Sequence, residues 1–227
     1  MKKLLLGLGI CIALFLCLSC ADDNRPQQEW LVANLEIRYL QPERHLRAQA
    51  QFSRGDSSNL KPYTFPTVQY NEKSMELKRL NPKIPRYQSE QYSDYQLKHN
   101  FRLIDIDNRE QQFELSMSPI DSFYINGIID PSLPLDISWT GQALKENESL
   151  VLLFTDEDNK ASSQTIQGPT PKSAASLKAQ QLTKLSPGVG QLYLVKKQIH
   201  FESSENVQLS ALIEYYTNPI AIEVKNK

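Results

Sequence analysis

Residues 30–39, WLVANLEIRY, alternate between apolar and polar side chains. One face of this stretch carries Leu31, Ala33, Leu35, Ile37 and Tyr39, and the opposite face carries Asn34, Glu36 and Arg38. A period of two over this length is typical of a β-strand with one face buried in a core. We therefore predict a strand here, and a fold in which such strands supply the core.

The same alternation recurs along the rest of the chain. Residues 46–52 follow a short polar break that contains Pro42, so the first two stretches predict a hairpin. Comparable stretches occupy residues 95–103, 113–117, 135–139, 150–154, 192–195, 207–216 and 220–224. Only residues 176–185 predict a helical turn or two. Short strands at intervals of ~8–12 residues predict an all-β protein built from antiparallel β-sandwiches of immunoglobulin-like architecture.

A change in composition divides the chain near its middle. Residues 118–131 contain Pro119, Gly127 and Pro131, and every arginine precedes Asn126. A length of 227 residues also favours two domains over one. We therefore predict two β-sandwich domains in tandem, residues 30–128 and residues 129–227.

Charge and cysteine content exclude several functional classes. The chain carries 25 basic and 26 acidic residues and no basic block, which argues against a nucleic-acid partner. Its three cysteines, Cys11, Cys17 and Cys20, all precede the first predicted strand. The folded part therefore has neither disulfides nor thiolate metal ligands, and we expect no cofactor.

The first residues have the pattern of an export signal. Lys2 and Lys3 precede an apolar run over residues 4–18, and Ser19 and Cys20 follow it. The run is shorter than the ~20 residues that a membrane-spanning helix needs. We predict that residues 1–19 are a cleaved signal peptide and that residues 20–29 form a tether.

A cysteine directly after Ser19 resembles the signal of bacterial lipoproteins. That resemblance implies a lipid on Cys20 and a membrane partner. Asp22 and Asp23 resemble the export tag of surface-displayed lipoproteins of the Bacteroidetes, which implies the outer membrane and its exposed face. The alternative is an ordinary secretory signal that is cut elsewhere.

Motifs of known enzymes are missing. The sequence contains no G-x-S-x-G elbow, Walker loop, H-E-x-x-H pair or dinucleotide-binding glycine pattern. Its three histidines, His45, His99 and His200, lie in separate predicted strands, and His99 falls in the apolar register. We interpret His99 as a packed residue and predict a protein without catalytic residues. A pair of carboxylates for glycan hydrolysis stays open, because their spacing is spatial.

Two similar acidic segments follow apolar strands. They are Asp105-Ile106-Asp107-Asn108 and Asp156-Glu157-Asp158-Asn159. Aspartate and asparagine favour tight turns, so the segments predict two hairpins of the same plan. The alternative is a calcium site with oxygen ligands from Asp105, Asp107, Asp156 and Asp158.

Tyrosines concentrate in a proline-rich stretch, residues 60–95. We predict a binding surface formed by Tyr63, Tyr70, Tyr87 and Tyr92, because aromatic rings on stiff loops suit sugars or protein partners. The alternative is that these rings close the end of the first core.

The sequence thus favours a cell-envelope lipoprotein that acts as a surface binding or assembly component for an envelope protein or glycan. The two alternatives are a glycan hydrolase, or its accessory domain, and a structural stalk.

Overall fold

A computed structural model describes residues 29–56, 59–81, 84–158 and 160–226. The predicted signal peptide, Cys20 and most of the tether therefore lie outside the described residues. The strands are β1 (Trp30–Leu40), β2 (His45–Gly55), β3 (Lys61–Tyr63), β4 (Thr67–Tyr70), β5 (Lys73–Ser74), β6 (Glu76–Asn81), β7 (Ile84–Tyr92), β8 (Lys98–Ile104), β9 (Glu110–Ser116), β10 (Ser122–Ile125), β11 (Leu135–Thr140), β12 (Glu148–Asp156), β13 (Ala161–Gln167), β14 (Ala174–Leu177), β15 (Gly188–Ser203), β16 (Val207–Tyr216) and β17 (Ile220–Val224). A single short helix, α1 (Ala179–Leu182), accompanies them within the described residues.

The prediction of an all-β protein is confirmed, because strands form almost all of the regular structure. Within the four described ranges, no helix has both the length and the apolar character needed to cross a bilayer. The alternation that predicts β1 and β2 also predicts which of their side chains are buried. The apolar positions of both strands lie in the core: Leu31, Ala33, Leu35, Ile37, Tyr39, Leu46, Ala48, Ala50 and Phe52.

One large sheet runs through the whole molecule. Its strands lie in the order β13-β12-β15-β16-β1-β2-β7-β6, with β17 beside β15 and β3 beside β2. Most neighbours are antiparallel, but β1 and β16 are parallel over residues 31–40 and 207–216. The first strand of the described chain therefore pairs with one of the last.

A four-stranded sheet, β5-β4-β8-β9, packs on the β16-β1-β2-β7 part of the large sheet. We call this unit the first sandwich. Its core contains side chains from both layers, such as Ile37 and Phe52 from the large sheet and Phe101 and Leu115 from the small one. Two sheets with interdigitating apolar faces are a β-sandwich, as the alternation predicts.

A three-stranded sheet, β10-β11-β14, packs on β12, β15 and β17 to form the second sandwich. Trp139, Leu152 and Leu194 lie in its core, and Leu182 of α1 closes one side. Leu177 and Leu185, the other apolar positions of the predicted helical turn, are buried in the same core. The region predicted to be helical is therefore mostly strand and loop, with one turn of helix.

β15 joins the two sandwiches. Its residues 188–192 pair with β17 in the second sandwich, and residues 195–203 pair with β16 in the first. Thr217 marks the change of partner, because its Oγ1 accepts from the Leu194 N–H at 2.9 Å and its own N–H donates to the Leu194 oxygen. The two cores are distinct, but the backbone that supports them is continuous.

The boundary predicted at residues 128 and 129 stays a prediction. Beyond it in sequence, β16 contributes Leu209, Ala211, Ile213 and Tyr215 to the core of the first sandwich. These four side chains would lose their packing partners if residues 129–227 were separated from the rest.

Candidate binding site

A groove of about 410 Å³ lies at the end of the first sandwich where β1 begins. Its lining includes Arg54, Phe65, Arg109, Glu110 and Asn206. These residues come from the end of β2, the loop before β4, the β8–β9 turn, the start of β9 and the β15–β16 turn. We call it the Arg54 groove.

Arg54 gives the groove its most distinctive feature. The guanidinium carbon lies 4.2 Å from the Tyr63 ring centre and 5.7 Å from that of Phe65. The two rings meet edge to face, with their centres 4.9 Å apart. A guanidinium over aromatic rings is a cation–π contact, worth ~0.5–1 kcal/mol when exposed. The site thus presents the Arg54 guanidinium over two aromatic rings, and the Glu110 carboxylate beside it accepts from Arg102 and Gln112. Such a polar, charged surface can contact a hydroxyl-rich or peptide ligand.

Asp105 holds the neighbouring turn in shape. Its Oδ1 accepts from the N–H groups of Asp107 at 2.8 Å and Arg109 at 3.0 Å, and its Oδ2 accepts from Arg109 Nε at 2.8 Å. Burial opposes ionisation and is the largest influence, but these donors together hold the pKa of Asp105 below its usual value. The carboxylate therefore serves the turn rather than a ligand.

The second acidic segment repeats this arrangement. Asp156 Oδ1 accepts from the N–H groups of Asp158 at 3.1 Å and Lys160 at 2.8 Å. In both turns the aspartate N–H donates to the carbonyl oxygen four residues later, at 3.1 Å for Asp105 and 3.2 Å for Asp156. The prediction of two hairpins with one plan is confirmed for the described residues, and Asn159 lies outside them.

The calcium alternative gains no support from these turns. The carboxylates of Asp105 and Asp156, which stabilise the turns, accept hydrogen bonds from backbone N–H groups. Asp107 forms an ion pair with Arg109 at 2.9 Å. Across the described ranges, no cluster of three or more histidine, cysteine or acidic side chains has the arrangement of a metal site.

The four candidate tyrosines do not form one exposed surface, and the prediction is corrected in that respect. Tyr70 and Tyr87 are buried in the first core, because their strands β4 and β7 turn those positions inward. Tyr63 is half-buried beside Arg54, while Tyr92 is 79% exposed and stacks on His45. Only Tyr63 lies beside the Arg54 groove.

A buried polar cluster surrounds His99 instead. The Tyr70 hydroxyl lies 2.6 Å from His99 Nδ1, and the Tyr95 hydroxyl lies 3.4 Å from Nε2. Tyr95 donates its own proton to the Met117 oxygen at 3.0 Å, so it accepts from Nε2–H while Nδ1 accepts from Tyr70. His99 is fully buried, in agreement with the interpretation of a packed histidine.

We expect His99 to make the fold sensitive to acid. Burial lowers its pKa to about 4, against 6.5 when exposed. The unfolded chain therefore binds a proton that the folded chain does not, and the free energy of unfolding should fall by up to about 3 kcal/mol between neutral pH and pH ~4. Urea unfolding at several pH values measures this. His99→Gln should flatten the dependence in that interval; an unchanged profile would contradict the assignment.

A buried ion pair lies where the sandwiches meet. Lys196 Nζ is 3.1 Å from Glu148 Oε1, and each side chain is only 1% exposed. Lys196 also donates to the Ser118 oxygen at 3.0 Å, and Glu148 Oε2 accepts from the Lys145 N–H at 2.9 Å. Burial lowers the pKa of Lys196, and the Glu148 carboxylate partly offsets this effect.

The sequence analysis did not identify this ion pair, although the positions of the two residues in their strands indicate it. Lys196 continues the buried register of Leu192 and Leu194, and Glu148 precedes Leu150 in the buried register of β12. Two opposite charges in apolar registers of neighbouring strands indicate a buried pair. Arg54 was also missed, since a single arginine at a strand end carries no pattern.

Glu214, another well-buried carboxylate, also has partners. Glu214 accepts from Arg38 Nε at 2.8 Å, and Lys197 Nζ lies 2.7 Å from it. Burial opposes ionisation of Glu214, but these two cations hold its pKa below the usual value. Glu148 and Glu214 therefore have structural partners, and neither of them lines the Arg54 groove.

Comparison with known proteins gives no family. No family model matches the chain, and no curated protein matches it. Among solved structures, the chicken CNTN1 FN1–FN3 domains align with 89% of this chain and 68% of their own, at 14% identity and a TM-score of 0.22. The β-sandwich assignment rests on the sheet packing described above.

Proposed function

We propose that this protein is a cell-envelope lipoprotein, anchored to the outer membrane through Cys20, and that it acts as a non-enzymatic binding or assembly component. The observation that carries the proposal is the sequence of the N-terminus. An apolar run too short to span the bilayer ends in Leu18, Ser19 and Cys20.

The geometry of the fold agrees with such an anchor. Only residues 21–29 separate Cys20 from β1, and an extended chain of that length spans about 30 Å. The Arg54 groove lies at the same end of the first sandwich as the start of β1. The second sandwich adjoins the opposite end, where Gln41 Nε2 after β1 donates to the Asp121 oxygen just before β10 at 3.5 Å. The groove would then lie near the membrane and the second sandwich farther from it.

The Arg54 groove supports a role in binding. Arg54 offers a cation that the rings of Tyr63 and Phe65 hold in place, and the surrounding polar groups suit an envelope glycan or a protein loop. The shared large sheet would hold this groove at a fixed distance from the second sandwich. A component that positions one partner relative to another needs such rigidity.

The anchor is tested by metabolic labelling with palmitate. We expect the wild-type chain to incorporate label and to fractionate with membranes, and Cys20→Ser to lose both properties. Cys17→Ser is the matched control, and it should be labelled like the wild type. Equal labelling of Cys20→Ser and the wild type would contradict the proposal.

A further inference from the structure

β13 is an edge of the large sheet without a neighbour on its outer side among the described residues. It reads ASSQTIQ over residues 161–167, and β12 is its one strand partner in the part of the chain that the structure describes. An open edge presents main-chain donors and acceptors that match another extended chain.

The register identifies the outward groups. Asp156 N–H donates to the Lys160 oxygen at one end of the hairpin, and Gly168 N–H donates to the Glu148 oxygen at the other. Hydrogen-bonded pairs alternate in an antiparallel ladder, so the even-numbered residues of β13 bond to β12. The N–H and C=O groups of Ala161, Ser163, Thr165 and Gln167 therefore point away from β12.

Other long edges carry features that block pairing, and β13 does not. β6 displays Glu76, Lys78 and Arg79, and β9 displays Glu110 and Glu114. Charged side chains are the usual protection of a sheet edge. β13 contains no charged residue, no proline and no bulge in its register with β12.

We propose that β13 pairs with β13 of a second copy of this chain, antiparallel and centred on Gln164. In this register Ala161 faces Gln167 of the other copy and Ser163 faces Thr165, so all four outward residues join the ladder. A two-fold axis repeats every contact, and in this register no charged side chain faces another, because β13 has none. Two copies of β13 can therefore pair without charge repulsion between the strands.

The surroundings of β13 fit the same occupant. A groove of about 470 Å³ lies beside this edge, and it is lined by Ala161, Ser162, Ser163, Gln164, Gln180, Gln181, Thr183 and Lys184. A strand added beyond β13 would place its inward side chains over this polar groove. Small and amide side chains such as those of β13 itself suit that position, whereas a run of large apolar residues would not.

The pairing is also compatible with two copies anchored in one membrane, although it does not rest on the proposed function. Four steps separate β1 from β13 in the sheet. At ~20–25° of twist per step, β13 would lie at roughly 80–100° to β1. A two-fold axis perpendicular to the sheet at β13 would then be nearly parallel to β1. Rotation about this axis leaves the direction of β1 unchanged, so β1 would begin on the same side of the dimer in both copies.

A single cysteine tests the register, because the folded part has no other. In Gln164→Cys, with Cys20→Ser and without residues 1–19, the two-fold axis brings the new residue opposite its copy in a non-hydrogen-bonded pair. Such pairs have Cα atoms ~4.5 Å apart, which suits a disulfide. We expect a disulfide-linked dimer under mild oxidation. Gln112→Cys on edge β9 is the matched control and should stay monomeric; equal cross-linking of the two would overturn the register.

Removal of one outward N–H tests the pairing itself. Thr165→Pro takes away a donor that β12 does not use, so the hairpin should survive while association weakens by about tenfold or more. Thr165→Lys should act likewise by adding a charge. Sedimentation across about a hundredfold range of concentration measures the association, with Gln112→Pro as the control. A wild-type chain that is monomeric throughout, or a dimer that both Thr165 variants leave intact, would overturn the proposal.

Discussion

Replacement of Lys196 by methionine is expected to lower the free energy of unfolding by about 3–5 kcal/mol. The change leaves the Glu148 carboxylate buried without its cation, and it also removes the bond to the Ser118 oxygen. A buried charge that loses its partner is far more costly than the net value of the pair itself. Urea unfolding at neutral pH measures the loss.

Two further variants separate the ion pair from general loss of packing. Lys196→Met combined with Glu148→Leu should recover most of the stability, because no uncompensated charge remains. Lys197→Met is the matched control on the adjacent residue. Its partner Glu214 keeps Arg38, and the lysine is 36% exposed, so the loss should stay near 1 kcal/mol or below. Similar losses for Lys196→Met and Lys197→Met would contradict the assignment.

Tyr70→Ala is expected to cost about 3–5 kcal/mol in the free energy of unfolding. The side chain has no exposed surface, its ring centre lies 5.1 Å from that of Phe101, and its hydroxyl bonds His99. Removal leaves a cavity and an unsatisfied imidazole nitrogen. Thermal and urea unfolding of the variant measure both effects together.

Tyr92→Ala is the matched control for the tyrosine-rich stretch. Tyr92 is 79% exposed, so its loss should change stability by less than about 0.5 kcal/mol. A similarly small loss of unfolding free energy for Tyr70→Ala would mean that the Tyr70 ring is exposed in solution. That result would support the sequence-based prediction of a common tyrosine surface.

Alternation of side chains predicted most of the strands, because the period of two reports burial on one face. The alternate apolar side chains of residues 31–39, 46–52 and 150–154 lie in the cores as predicted. The tyrosine-rich stretch was harder to predict, since its prolines shorten the strands and remove the alternation. Tyr70 and Tyr87 therefore gave no local indication of which face they occupy.

Strand partners were not predictable from local patterns. β16 lies far from β1 in sequence, yet the two pair in parallel and share the first core. The composition change near residue 126 indicates two halves, but it contains nothing about a strand that returns to the first half. The same limit applies to the Arg54 groove, which combines strand ends and turns from across the chain.

The central structural claim is that one sheet unites both sandwiches, and calorimetric unfolding of the chain without residues 1–19 tests it most directly. Because β15 passes through both sandwiches and β16 returns to the first core, we expect a single transition in which the calorimetric and van't Hoff enthalpies agree. Two separate transitions, with a calorimetric enthalpy well above the van't Hoff value, would contradict the account.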